Sequence, residues 1–187
     1  MALAVQKRRF TVDESERMEA AGILRRDDRI ELIDGEFITK MTIGPRHHAS
    51  VDRATRAFVT KAGESAIVRV QGAVVLNLFS APEPDVVLLR PRSDFYASRH
   101  AGPADVFLVI EVAESSIAFD REIKAPLYAR SEIHEYWLVD LNENALHCHS
   151  WPERGTYRNV QRYQRGQSLA PLLLPDCVVS TSDLIPE

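Results

Sequence analysis

At 187 residues, 45% hydrophobic and 27% charged, the chain has the make-up of a single globular domain over 1–187 that can bury a core without metal or disulfide staples. Disordered, collagen-like and coiled-coil chains are excluded. A formal net charge of −4 argues against a protein that coats nucleic acid non-specifically, while leaving room for a local basic groove. Cys148 and Cys177 cannot make a disulfide scaffold, and the Lys7-Arg8-Arg9 cluster follows a short apolar run where a signal peptide has the reverse order. No apolar stretch approaches the roughly 20 residues that span a bilayer. These features predict a cytoplasmic protein with no membrane partner.

Thr11-Val-Asp-Glu14 reads as a capping box that opens a helix running to Ala21 and stopping at Gly22. Arg29 to Ile38 reads as a β-hairpin turning at Asp34-Gly35. After Gly44-Pro45-Arg46-His47-His48 a helix is predicted to about Lys61, with Val51, Ala54, Phe58 and Val59 on its apolar face and Gly63 at its end. Ala66 to Leu78 reads as one or two strands broken near Gly72. Asp85 to Leu89 and Val106 to Val112 are apolar runs of the kind buried on both faces of a sheet. Between them, Pro91 to Ala104 is a 14-residue polar loop, a length that points to function or, through Phe95 and Tyr96, to a subunit contact.

Phe119 to Arg130 is predicted helical, with Pro126 either kinking the helix or opening a second helical turn. Tyr136 to Leu141 reads as a buried strand and Ala145 to Trp151 as an edge strand. Weaker strand signals follow at Tyr157 to Arg162 and Cys177 to Ser180. The fold class is α/β, a mixed sheet of the α+β kind with flanking helices and an added C-terminal β-hairpin region.

Chemistry enters with carboxylates in apolar surroundings. Asp85 closes Pro82-Glu-Pro-Asp85 directly before Val-Val-Leu-Leu, and Glu111 interrupts Val109-Ile-Glu-Val112. A carboxylate amid Val, Ile and Leu is costly unless it is paired or holds a cation. Lys124 lies on the helix that follows. Two acids at neighbouring strand ends plus a lysine suit a hard divalent cation with oxygen ligands, Mg2+ or, in its place, Mn2+. A turn role for Asp85, an arginine pair for Glu111 and an Asp120–Lys124 pair on a helix face are the structural alternatives.

Asp85, Glu111 and Lys124, in that succession of strands and helices, resemble the PD-(D/E)XK nuclease superfamily. More narrowly, Glu31-Leu-Ile-Asp-Gly-Glu36, Pro84-Asp85, Val109-Ile-Glu-Val-Ala113, Asp120-Arg-Glu-Ile-Lys124 and Glu135-Tyr-Trp-Leu-Val-Asp140 resemble the Uma2 family of bacterial endonucleases, over about Phe10 to Trp151. The resemblance implies a restriction-endonuclease-like core and Mg2+-dependent hydrolysis of DNA phosphodiesters, with a homodimer for cutting two strands. It implies Asp85, Glu111 and the Val112 carbonyl as metal ligands and Lys124 as the catalytic lysine. The superfamily's usual lysine position, two residues after the acid, is Ala113 here, so the role moves to the next helix. A nuclease fold kept as a non-catalytic nucleic-acid-binding or regulatory module, and a hydrolase of RNA, are the rival readings.

Supporting roles are assigned to Glu31 and Glu36 flanking the hairpin turn, to His47 for proton transfer or phosphate contact, and to Gln71 for orienting water. Arg46 and Arg92 are the phosphate-binding candidates, with Arg90, Arg99 and Arg121 extending that face. His147-Cys-His149 invites zinc, but no second Cys or His pair completes a tetrahedral set.

Overall fold

A computed structural model describes residues 7–40 and 43–187; the apolar run that opens the chain lies outside them. Helix α1, Val12–Ala20, begins with the expected capping box: the Thr11 side chain accepts from the Glu14 amide, and Glu14 accepts from the Thr11 amide. Strands β1 (Ile30–Ile33) and β2 (Glu36–Thr39) form the hairpin. Its turn holds Asp34 at φ 51 and Gly35 at φ 81, the paired left-handed conformation that Asp-Gly favours in a two-residue turn. A Cβ on Gly35 would lie 2.6 Å from Arg9 Cβ.

The centre of the molecule is a six-stranded sheet in the order β3-β4-β5-β6-β7-β8. Its strands are β3 (Ile67–Val70), β4 (Val86–Leu89), β5 (Val106–Ala113), β6 (Glu135–Asp140), β7 (Ala145–Glu153) and β8 (Thr156–Gln164). Only β5 and β6 run parallel, so the sheet is mixed. A parallel pair needs a crossover. Here the crossover carries α3 (Ile117–Phe119), a π-helical turn (Asp120–Lys124) and α4 (Ala125–Arg130).

Helix α2 (Pro45–Ala62) lies on the opposite face, where Ala54, Phe58 and Ala62 pack against Leu88, Leu108 and Trp137. Phe58 and Trp137 are fully buried, their rings 5.7 Å apart, and each such side chain contributes about 1.5–3 kcal/mol of hydrophobic stabilisation. Strands β9 (Ser168–Leu169) and β10 (Val179–Ser180) pair antiparallel before the short helix α5 (Thr181–Leu184), giving the added C-terminal β element.

Three local expectations are corrected, and the two alternatives at Pro126 are resolved. Val59 is 56% exposed, because it falls past the edge of the α2 stripe defined by Val51, Ala54 and Phe58. Beyond Val70 the chain leaves the sheet: Gln71 turns left-handed at φ 48, and residues 73–80 make only isolated bridges. Strand β7 is internal, because β8 covers its outer side and becomes the edge. The helix read over Phe119 to Arg130 is interrupted by the π-turn just before Pro126, whose missing N–H cannot bond back to Glu122; the Ala125 N–H reaches Asp120 O instead. The 91–104 loop is tied to itself: Arg92 pairs with Asp94, Arg99 with Asp105, and the Tyr96 hydroxyl donates to Arg90 O.

Candidate active site

Antiparallel pairing of β4 with β5 sets Val86 beside Ile110, so Asp85, one residue earlier, meets Glu111 across the ladder. The Asp85 N–H donates to Glu111 Oε2 at 3.3 Å. The crossover returns over that face and brings the π-turn down on Glu111. Lys124 Nζ lies 2.9 Å from Glu111 Oε1, 3.0 Å from Glu31 Oε2 and 3.9 Å from Asp120 Oδ1. One turn on, the Tyr128 hydroxyl donates to Glu111 Oε1 at 2.7 Å. From α2, His47 Nε2 stands 3.1 Å from Asp85 Oδ2, which also accepts the Val112 N–H at 2.9 Å. That leaves Asp85 Oδ1 open among the described residues. All of these groups except Tyr128, which stands behind Glu111, line a cavity of about 210 Å³.

Four buried carboxylates, Glu31, Asp85, Glu111 and Asp120, face one buried lysine, with Lys40 a step outward against Glu31 (3.2 Å) and Glu83 (3.1 Å). With the four buried carboxylates ionised, Lys124 and Lys40 offset only part of their charge, and Lys40 is shared with Glu83, so the cavity keeps an excess of negative charge. Burial, followed by the neighbouring carboxylates against the pull of Lys124, pushes Glu111 up to about 8. Burial likewise lifts Asp120 to about 6. Asp85 goes the other way: burial raises it, but the His47 contact and the Val112 amide outweigh that and hold it below the usual carboxylate range. Burial works against a charged Lys124, yet Glu111, Glu31 and Asp120 raise its pKa above the ordinary lysine value, so it is a fixed cation. All-oxygen donors with excess negative charge fit a hard divalent ion.

The fold therefore brings Asp85, Glu111, Val112, Lys124, Glu31 and His47 to one cavity, with Gln71 exposed at its rim just past β3. Three expected site residues lie elsewhere. Glu36 shares a hairpin face with Glu31 but sits at the turn end, where it is exposed and pairs with Lys7 at 3.0 Å. Arg46 spends its guanidinium on Leu141 O and Asn144 Oδ1, both at 2.6 Å, at the β6–β7 turn. Arg92 is held inside the 91–104 loop by Asp94 and Ser98. The other arginines of the expected basic face are dispersed too: Arg90 on Ala104 O, Arg99 on Asp105, Arg121 on Asp140.

Sequence reasoning missed two residues that line the cavity, Asp120 and Lys40, and one that backs it, Tyr128. Asp120 reads as a surface partner of Lys124, yet both are buried; their i,i+4 spacing was the available signal. Tyr128 continues the same helix face four residues on. Lys40 follows the hairpin and carries no signal of its own.

The layers and the cavity define a restriction-endonuclease-like fold. A structure described as a putative nuclease belonging to DUF820, from Anabaena variabilis ATCC 29413, superposes with a TM-score of 0.70 at 15% identity, covering 94% of this chain and 97% of that one. The family model described as "Uma2: Putative restriction endonuclease" matches residues 12–182, and the chain belongs to that family. No curated protein matches it in sequence. Among the described residues no helix is long and apolar enough to cross a membrane.

Proposed function

We propose that the chain is a Mg2+-dependent DNA endonuclease, with Mn2+ able to replace Mg2+, acting in the cytoplasm as a homodimer of single-domain subunits. The observation that carries this reading is the buried Asp85–Glu111–Lys124 constellation with its uncompensated negative charge. Asp85, Glu111 and the Val112 carbonyl would hold the ion, which when bound offsets phosphate charge and makes water nucleophilic at neutral pH.

The remaining roles belong to the chain's own side chains. His47 and the Val112 amide fix Asp85 through one oxygen, so its other oxygen is free to face an ion. Tyr128 orients Glu111. Lys124, kept charged by its three carboxylates, stabilises the charge that builds on the phosphoryl oxygens as water oxygen bonds to phosphorus and the sugar oxygen departs. An acidic cavity repels DNA phosphates until a cation enters, so DNA binding here depends on metal as well as on salt.

The test is plasmid nicking in Mg2+ by the wild type and by Glu111→Ala. Cleavage by the wild type alone supports the reading, and equal cleavage by both overturns it. Parallel reactions with single-stranded DNA and RNA separate the DNA reading from a hydrolase of RNA.

A further inference from the structure

We propose that the β6–β7 turn carries a second cation site, separate from the cavity, in which Asp140, Glu143 and His147 bind a borderline divalent ion, Zn2+. One ligand atom from each of the three lies within 4.8 Å of the others. Asp140 ends β6, Glu143 sits in the turn and His147 is on β7. The pairing of Asp140 with Ala145 puts Asp140 and His147 on the same side of the sheet.

The protein already orients each donor. Asp140 is buried, and its Oδ1 accepts the Asn142 and Glu143 amides at 2.9 and 3.0 Å. Those bonds fix the carboxylate and leave Oδ2 without a hydrogen bond, with Arg121 3.7 Å away. The second observation is His147 Nε2, a nitrogen shut off from solvent that has no hydrogen-bond partner among the described residues. It stands 3.8 Å from Glu143 Oε2, too far for a hydrogen bond but across the space an ion would fill.

The chemistry of this donor set matches zinc. One imidazole nitrogen and two carboxylate oxygens leave a fourth position for water, the three-ligand pattern of open zinc sites. The donors stand within 4.8 Å of one another, and an ion at about 2.0–2.2 Å from each would draw them together. Arg121 on Asp140 and Arg162 on Glu143 (3.2 Å) occupy the outer side now. Both are about half exposed, so they can swing into solvent as the ion takes over their charge role. The His-Cys-His triplet lacks a zinc partner in sequence because the partners are carboxylates on the turn. Cys148 points to the opposite face, and His149 packs against the Tyr136 and Tyr157 rings.

The test uses the full chain, stripped with chelator, with Asp85→Asn and Glu111→Gln together to silence the cavity. Calorimetric titration with Zn2+ is expected to give one bound ion, and Co2+ the intense visible absorption of a four-coordinate site. Adding His147→Gln, or separately Glu143→Gln on the exposed turn, is expected to weaken Zn2+ binding at least tenfold and to remove the Co2+ bands. Circular dichroism in chelator should be unchanged. No Zn2+ binding by the silenced protein, or unchanged affinity in both turn variants, overturns the site. Plasmid nicking plays no part, so either result leaves the nuclease reading where it stands.

Discussion

Lys124 Nζ lies 2.9 Å from Glu111 Oε1 in the interface between β5 and the crossover, with both side chains closed off from solvent. The contact joins residues thirteen positions apart on different elements. Removing one partner of a buried pair leaves an uncompensated charge at a cost of about 3–5 kcal/mol. Lys124→Met is therefore expected to lower unfolding free energy by about that amount in urea titrations and to abolish nicking. Wild-type stability in this variant would contradict the buried pair.

Glu111→Gln is expected to separate activity from stability. The substitution keeps a side chain that can bond Lys124 and Tyr128 but removes the charge that burial disfavours. Nicking should fall at least about a hundredfold. The melting temperature in chelator should hold or rise, a stability–activity trade-off of a kind common at active sites. A large drop in both would place Glu111 in a structural role.

The pH dependence of metal-free stability follows from the same groups. Glu111, raised to about 8, binds a proton in the folded chain at pH values where the unfolded carboxyl has lost it. Its contribution is therefore present at low pH and is lost as pH rises toward 8. Asp120, raised to about 6, acts in the same direction over a lower window. His147 and His149 oppose it: burial lowers both, His149 to about 4, so their contribution grows with pH up to about their ordinary value near 6.5. Between about pH 6.5 and 8 the Glu111 trend leads, and Glu135, also raised by burial, acts in the same direction. In chelator the melting temperature is expected to fall across that range, and millimolar Mg2+ should flatten the fall. A rise in chelator would overturn the assignment.

His47→Ala removes the side chain that fixes Asp85 Oδ2 without touching the cavity's other acids. Loss of such a partner to a metal-binding carboxylate typically weakens the ion about 10–100-fold. The Mg2+ dependence of nicking is expected to move to higher concentration by that factor, with the rate recovering at saturation. A lower rate at saturating Mg2+ with an unchanged midpoint would instead make His47 a participant in proton transfer.

Much of this was legible in the chain because local chemistry governs it. The Thr11–Glu14 box, the Asp34-Gly35 turn and the Gly44–Gly63 limits of α2 are short-range signals, and each element formed where they stood. Asp85 and Glu111 were visible for a related reason: a carboxylate inside an apolar run needs a partner, whatever that partner is. The errors fall where a residue's fate depends on distant chain. Ala145 to Trp151 alternates like an edge, yet β8 covers it. Arg46 looks available for phosphate until Asn144, far along the chain, claims it.

By itself the sequence determined the elements, their order, the two strand-borne acids and the net charge of −4, which first argued against a nucleic-acid partner. Only the tertiary structure decided where that charge collects. The β4–β5 register sets Asp85 against Glu111, the hairpin adds Glu31, and the π-turn ahead of Pro126 adds Asp120 with Lys124. Burial of so many acids is tolerable only where a cation or a bound proton offsets their charge, and no single segment of chain holds more than a part of that set.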